Sequence, residues 1–389
     1  MIAEAVSVII PIYGNGELTQ RCVASVLRNS DPRHQIILIN DASPVLELGT
    51  YCREVADDTR VFLIEHSENR GFVSSANQGI KVSQDRDVVI LNSDTTVPHG
   101  WLDRLLSAAN KNPRAASITP FSNNATICSY PTFCADNPLP KGLDAADIDR
   151  KFSQANAGKT LEIPTGVGFC MYMRRAAIDE VGLLDEEAFG RGYGEENDWC
   201  CRAILRGWQH LLCADLFVYH AGGASFGAEA LALQANALKV ISSRYPCYEK
   251  DIAAFVERDP AEPYRFAVDL LRLDREAILE EYRARAANER ESRYALDRQR
   301  HQQVTELGEV LQLTRQSAQE EVKAYEEILS SLRGEVAERE TQYQAQISEM
   351  ATGQQQLAAE LSRLNAELSR LNASRVIRLW SAILRRWGR

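Results

Sequence analysis

Residues 87–94 read "DVVILNSD". Val88–Leu91 is a short apolar run without alternation, as expected of a strand buried on both faces of a parallel sheet. It ends in Asp94. Three runs of the same kind precede it: "VSVIIPIY" (6–13), "QIILIND" (35–41), which ends in Asp41, and "RVFLIEHSENRG" (60–71). Between them lie helical segments. "ELTQRCVASVLRN" places Leu18, Cys22, Val26 and Leu27 on one face, and "SSANQGIKVS" reads as a short helix. Strand and helix alternate at βαβ spacing, which predicts a doubly wound α/β sheet over the first hundred residues. Ligands of such sheets sit at the carboxyl ends of the strands. Asp41, Asn69–Gly71 and Asp94 share that rim.

Beyond it, 120–165 reads as loops with one short helix. "TGVGFCMYMRRAAIDEVGLLDE" reads as a buried strand and a short helix. "ENDWCCRAILRGW" reads as a helix with Cys201, Leu205 and Trp208 on one face, and "QHLLCADLFVYH" as an alternating last strand ending at His220. All thirteen prolines lie at or before Pro263, and the residues after it are rich in Glu, Gln, Arg, Ala and Leu. That shift predicts a compact mixed domain over 1–250, a helical linker over 251–320, a coiled coil over 321–372 and a basic amphipathic helix over 373–389. Val322, Leu329, Val336, Tyr343, Met350, Leu357, Leu364 and Leu371 recur every seven residues. A second stripe is polar at Glu326, Arg333, Glu340 and Gln354 but apolar at Ile347, Leu361 and Leu368. The coiled coil is therefore expected chiefly over 343–371 and to self-associate, with strand number and orientation open. In "RVIRLWSAILRRWGR", Val376, Leu379, Trp380, Ile383, Leu384 and Trp387 share a helical face opposite Arg375, Arg378, Arg385, Arg386 and Arg389. That pattern suits an anionic membrane surface or, alternatively, a partner-docking groove.

The formal charge of −10 argues against a nucleic-acid binder. Nine cysteines, several in apolar company, read as reduced core residues of a cytosolic protein, and without a CxxC pair a zinc site is not expected. The first residues, "MIAEAVSVIIPIY", do not read as a signal peptide, and no apolar run is long enough to span a membrane.

Four constellations could carry chemistry. Asp94 could hold Mg²⁺ or Mn²⁺ beneath a phosphate, with Asn92 as a weaker neighbour, or it could cap the next turn. His220 could be a ligand or a satisfied histidine, and nothing in the sequence brings it beside Asp94. "ENRGFVSSANQG" (68–79) could receive phosphate at a helix start, aided by Arg70, or be an ordinary turn. Glu195, Glu196 and Asp198 in "GYGEENDW" (192–199) could complement a helix dipole or include a general base.

Taken in order, "VSVIIPIYGNGELTQRCVASVL", "ILINDAS", "ENRGFVSSANQGI", "VVILNSDT", "PTGVGFCMYMRR", "GRGYGEENDWCCRAILRGW" and "VYHAGGASF" resemble family 2 of the inverting glycosyltransferases over roughly residues 5–245. The resemblance implies a GT-A fold, a doubly wound, Rossmann-like mixed sheet, here followed by the helical tail. It implies donor contacts from Pro11, Tyr13, Asp41, Asn69, Arg70, Gly71, Asn77, Asn92 and Asp94. It implies a divalent metal, Mn²⁺ or Mg²⁺, on Asp94 and His220, and an acceptor site at Thr165, Gly166 and Glu195. The catalytic base falls on Glu196, with Asp198 as the competing carboxylate. Two positions depart from the family pattern: Asn92 replaces an Asp, and Glu196 replaces an Asp with one more methylene.

The expected function is transfer of a hexosyl or deoxyhexosyl group from a UDP-, dTDP- or GDP-linked donor to a glycan or lipid-linked acceptor hydroxyl. The expected setting is bacterial surface polysaccharide synthesis, with the protein cytoplasmic and peripheral at the inner face of the plasma membrane. The alternative is a coiled-coil scaffold of a glycan-assembly complex with a weak or inactive transferase domain.

Overall fold

The structure, a computed structural model, describes residues 5–222, 230–373 and 378–383. The chain divides into two compact units, Met1–Ala287 and Asn288–Arg389.

In the first unit, strand and helix alternate as the apolar runs require. The order is β1 (Val6–Ile12), α1 (Gly16–Asn29), β2 (Gln35–Asn40), α2 (Leu46–Val55), β3 (Val61–Glu65), α3 (Phe72–Val82) and β4 (Asp87–Leu91). Next come β5 (Thr95–Thr96), α4 (Trp101–Lys111), β6 (Ala115–Phe121), a 3₁₀ turn at Thr126–Cys128, α5 (Ala145–Asn156), β7 (Thr160–Ile163) and β8 (Cys170–Met173). The remaining elements are α6 (Arg175–Val181), α7 (Glu186–Phe189), α8 (Glu195–Ile204), β9 (Gln209–Phe217), β10 (Tyr219–His220), α9 (Ala230–Arg244), α10 (Tyr248–Arg258), α11 (Glu262–Arg272) and α12 (Arg275–Ala373).

Eight strands form one sheet in the order β3-β2-β1-β4-β8-β6-β9-β7. β3, β2, β1 and β4 are mutually parallel, whereas β8 runs antiparallel to β4 and β6. Apolar side chains leave β1 on both faces: Val8 and Ile10 join one buried cluster and Ile9 the other. A strand covered by helices on each side needs a continuous apolar run, which explains "VSVIIPI". The strand order reverses between β1 and β4, and the crevice at their carboxyl ends is where this class of sheet binds ligands. A second, two-stranded sheet pairs Thr95 with His220 and Thr96 with Tyr219.

The mixed α/β sheet followed by a long helix agrees with the expected fold class, and several local expectations are corrected. β3 is an edge strand with Phe62 exposed, so its apolar run is not sealed on both faces. β9 is buried along nearly its whole length rather than alternating, because the helices α4, α5 and α8 pack against it. The last strand does not run on to His220; it stops at Phe217, and the separate β10 carries the histidine. α8 ends at Ile204 and buries Trp199, Cys200 and Ala203, leaving Leu205 at 74% exposure. The 120–165 segment contains, besides its helix, the strand β7.

In the second unit α12 continues as an unbroken helix to Ala373, and its large apolar side chains from Leu311 to Leu368 stand exposed. Residues 378–383 are helical, with Leu379, Trp380 and Ile383 exposed. Arg375, Val376, Leu384, Arg385, Arg386, Trp387 and Arg389 of the expected amphipathic helix lie outside the described residues, as do 223–226 of the "VYHAGGASF" motif. Among the described residues no helix is long and apolar enough to cross a membrane.

One buried histidine sets an acid limit on the first unit. The His210 ring is 1% exposed, with Nδ1 2.7 Å from Ser117 Oγ and Nε2 3.0 Å from the Cys200 carbonyl. The carbonyl can only accept, so Nε2 carries the proton and Nδ1 accepts from the serine. Burial holds the ring's pKa down at about 4, below the 6.5 of a free histidine. The unfolded chain therefore takes up a proton that the folded chain refuses as pH falls from 6.5 towards 4. Folding stability is expected to drop by about 3 kcal/mol across that window. Denaturant midpoints measured against pH, in wild type and in His210→Gln, check this through a flatter slope in the variant.

Candidate active site

The crevice between β1 and β4 is lined by Pro11, Tyr13, Asp41, Asn69, Gly71, Ser75, Asn92, Asp94 and Arg191. Tyr13 stands 41% exposed at its mouth. Asp41, 3% exposed, follows the tip of β2 and organises the floor. Its Oδ1 accepts from the Arg70 N–H and its Oδ2 from the Gly71 N–H, each at 2.8 Å. His66 Nδ1 lies 2.7 Å from Oδ1, and its Nε2 contacts Gln78 Oε1. Two backbone donors and an imidazole thus satisfy a carboxylate that burial alone would expel. Asn69 Oδ1 also accepts from Gly71 N–H, at 2.9 Å. Gly71 has φ +86°, and a Cβ there would lie 2.9 Å from Arg191 Cα. Only glycine lets the 190–194 loop rest on this turn.

Beside it, Asn92 and Asp94 extend from β4, and the β5–β10 pairing delivers His220. His220 Nε2 lies 3.3 Å from Asp94 Oδ1 and 3.5 Å from Asn92 Nδ2. Nδ1 lies 2.7 Å from the Asn124 carbonyl, which can only accept, so Nδ1 holds a proton. Nε2 of the neutral ring would then aim a lone pair at a carboxylate oxygen. The arrangement is stable with a second proton on the ring or with a cation between the two. Burial lowers the His220 pKa, but the Asp94 hydrogen bond and charge outweigh it and leave it raised. Burial likewise raises the Asp94 carboxyl, but His220 and the Gly222 N–H outweigh it and hold it below the ordinary carboxylate range. Neighbouring ligands of an octahedral ion at about 2.1 Å lie about 3 Å apart, so this oxygen–nitrogen pair suits a divalent cation. Among the described residues no cluster of three or more His, Cys, Asp or Glu gathers for a metal.

The three acids of "GYGEENDW" have different surroundings. Tyr193 and Gly194 have φ +70° and +87°, and a Cβ on Gly194 would meet Ala237 Cβ at 2.8 Å. This left-handed turn starts α8 with Glu195 and Glu196 in its first turn. Glu195 is 4% exposed, and among the described residues its Oε2 has no hydrogen-bond partner. Burial, then the charge of Glu196, raises its pKa well above the ordinary value. Glu196 is half-buried, and burial raises its pKa against the backbone N–H groups that lower it. Asp198 is fully buried and spoken for: it accepts from Arg202 Nε at 2.7 Å, Arg244 Nη1 at 2.9 Å and Tyr245 Oη at 2.9 Å.

The 165–169 turn joins these two groups of residues. Thr165 and Gly166 are buried; Thr165 Oγ1 accepts from Asn197 Nδ2 at 3.0 Å, and Gly166 N–H donates to Cys200 Sγ at 3.2 Å. Gly168 faces Glu196, whose Cδ lies 3.8 Å from where a Cβ would be. The next residue, Phe169, stacks on His220 with centroids 5.2 Å apart, and its carbonyl accepts from Asn92 N–H at 2.8 Å.

Sequence expectations and structure differ at four residues. Asn77 spends its amide on Leu184, donating to the carbonyl at 2.9 Å and accepting the N–H at 3.0 Å, so it braces a loop instead of lining the crevice. Arg70 is exposed and is absent from the crevice lining, where Arg191 stands instead. Thr165 and Gly166 are buried under the turn, leaving Gly168 to face Glu196. His66, Arg191 and Phe169 were not singled out from sequence. Arg191, between two glycines of "GRGYGEEN", carried the clearest signal.

The profile of "Glycosyl transferase family 2" matches residues 7–182. A relative, "Glycosyltransferase GlyG" of Streptococcus pneumoniae serotype 4, is 32% identical over 106 residues, 27% of this chain and 35% of its own. "Poly-beta-1,6-N-acetyl-D-glucosamine synthase" of Staphylococcus epidermidis is 27% identical over 185 residues, 47% of this chain and 43% of its own. The chain thus spans less than half the length of these relatives. The solved structure titled "Crystal structure of GalNAc-T7 with UDP, GalNAc and Mn2+" aligns with a TM-score of 0.48 at 17% identity, over 68% of this chain and 52% of that one. The matched residues 7–182 carry the sheet reversal, Asp41 and Asp94, so this part of the chain is similar to glycosyl transferase family 2.

Proposed function

We propose that the chain transfers a hexosyl or deoxyhexosyl group from a nucleotide-linked donor, with UDP, dTDP or GDP as carrier, to a hydroxyl of a glycan or lipid-linked acceptor, inverting the anomeric centre. The observation that carries this reading is the 168–169 dipeptide: Gly168 faces the Glu196 carboxylate while Phe169 packs on His220 beside Asp94. This supports a reading in which a proton acceptor and a pair that would hold a cation against the diphosphate stand at neighbouring positions, as a single displacement requires.

In that displacement the acceptor oxygen forms a bond to the anomeric carbon as the bond to the diphosphate breaks, and Glu196 takes the hydroxyl proton. Glu195, buried and with its pKa driven up, keeps its own proton and leaves Glu196 as the ionised member of the pair. Asp198 anchors α8 through its two arginines and Tyr245. Asp41 holds the Asn69–Gly71 turn at the donor side, with Pro11 and Tyr13 near the base and Arg191 facing the diphosphate. Asp94 and His220 would hold Mn²⁺ or Mg²⁺, and the ion, when bound, supplies positive charge next to the leaving diphosphate. Polysaccharide synthesis is favoured by the name of the Staphylococcus epidermidis relative. The helical tail self-associates as a coiled coil, and the basic C-terminal helix lies on the inner face of the plasma membrane. A scaffold with an inactive domain is the weaker reading, because Asp41, Asp94, Glu196 and His220 are all present.

Glu196→Gln is expected to lower kcat about 10²–10⁴-fold while leaving the thermal shift given by a nucleotide-sugar intact. In wild type the acid limb of the pH–rate profile should sit above the ordinary carboxylate range, because the base works only once its raised pKa is passed; the variant should lack that limb. Asp198→Asn should lower the melting temperature by several degrees, since it strips charge from a buried ion-pair knot. Full transfer by Glu196→Gln with abolition by a folded Asp198→Asn would exchange the two roles. Chelation should abolish transfer and Mn²⁺ restore it, and Asp94→Asn should lose the stabilisation that Mn²⁺ gives the wild type. Flotation with anionic vesicles should recover the full chain but not a chain lacking 375–389; equal recovery removes the membrane role.

A further inference from the structure

The 99-residue α12 cannot owe its apolar seam to helix propensity, and no described part of its own unit covers that seam. Between 343 and 368, Tyr343, Ile347, Met350, Leu357, Leu361, Leu364 and Leu368 each leave more than half of their surface exposed. At roughly 100 Å² apiece they offer about 700–800 Å², which is what one partner contributes to a standard stable interface. Further back, Val322, Tyr325, Leu329, Leu332 and Val336 make a second exposed seam.

The two seams are out of phase. With Tyr325 and Leu332 at d positions, the a positions are Val322, Leu329 and Val336. With Tyr343, Met350, Leu357 and Leu364 at d, the a positions are Ile347, Gln354, Leu361 and Leu368. From Val336 to Ile347 is eleven residues, a heptad plus four, and Arg339 and Glu340 fall where the seam crosses over. Such a four-residue insertion locally unwinds a left-handed supercoil without ending it.

We propose that α12 pairs with α12 of a second copy of this chain as a parallel, in-register two-stranded coiled coil through both seams. This rests on the self-association reading above and adds strand number, direction and register. Gln354 decides direction and register. In a parallel in-register pair an a residue meets its own copy, so two Gln354 amides hydrogen-bond each other. In any antiparallel alignment an a residue meets a d residue, and those between 343 and 371 are all Tyr, Met or Leu, so the amide would be stranded. A parallel pair shifted by one heptad strands it against Ile347 or Leu361. β-Branched Val322, Val336 and Ile347 at a, with Leu332 and Leu357 at d, favour two strands. Near the second seam Glu360 and Glu367 take g positions opposite Asn365 and Asn372 of the parallel partner, so no like charges meet.

The test uses the full chain with exposed Cys134 and Cys247 changed to Ser, the other seven cysteines being buried. Light scattering should give about twice the 43.5 kDa of one chain. Spin labels on Ser348→Cys and, in a separate sample, on Ser369→Cys should each read one short inter-chain distance by double electron–electron resonance. Because the two sites are 21 residues apart at about 1.5 Å rise, no antiparallel register can bring both pairs closer than about 30 Å along the axis. A monomeric mass overturns self-association and this proposal together. A double mass with one long distance overturns the direction and leaves self-association standing. A trimeric mass overturns the strand number alone. Gln354→Leu should keep the dimer but broaden the distance distributions as register is freed; unchanged narrow distances would overturn the role of Gln354.

Discussion

The Asp41 carboxylate is the interaction on which the site depends. Burying an unpaired carboxylate at a strand tip costs several kcal/mol, so the chain that places it there must bring donors to it. The donors are the Arg70 and Gly71 N–H groups, and recruiting them bends the chain into the turn that starts α3. Gly71 then lies bare against the Arg191 backbone, which sets the 190–194 loop. That loop ends in the left-handed Gly194, and Gly194 starts α8 with its acids. A contact at one strand end thus fixes, through four short steps, where three acids stand on a helix far along the chain.

Much of this was legible in the residues because the first four strands are uniform apolar runs with polar tips. Runs dominated by Val, Ile and Leu over 6–12, 35–40 and 87–91 admit little besides a covered parallel sheet, and a covered parallel sheet puts Asp41 and Asp94 on one rim. What could not be read was pairing between distant segments. His220 meets Asp94 only because two-residue strands at 95–96 and 219–220 pair, and a two-residue strand has no periodicity to detect. The partner of Asn77 was hidden for a related reason: an asparagine on a helix beside a phosphate-type turn has the right chemistry for a ligand. Which way its amide faces depends on a loop at Leu184, more than a hundred residues later.

The acid cluster shows how one local pattern divides. Glu195, Glu196 and Asp198 share a helix start and thus the same favourable dipole. Helical geometry turns them about 100° apart per residue, so each meets a different neighbourhood. One is sealed with no partner for its Oε2 among the described residues, one is half open towards a glycine, and one is tied by arginines. Composition could announce the cluster but not apportion it, since the apportioning groups, Arg244 and Tyr245, come from α9 and the turn that follows it.

The Gly168–Phe169 peptide has a mechanical meaning. Consecutive Cα atoms across a planar trans peptide are held about 3.8 Å apart by covalent bonds. The two backbone points that Glu196 and His220 pack against therefore keep a covalently fixed spacing, while each side chain reaches its point through packing alone.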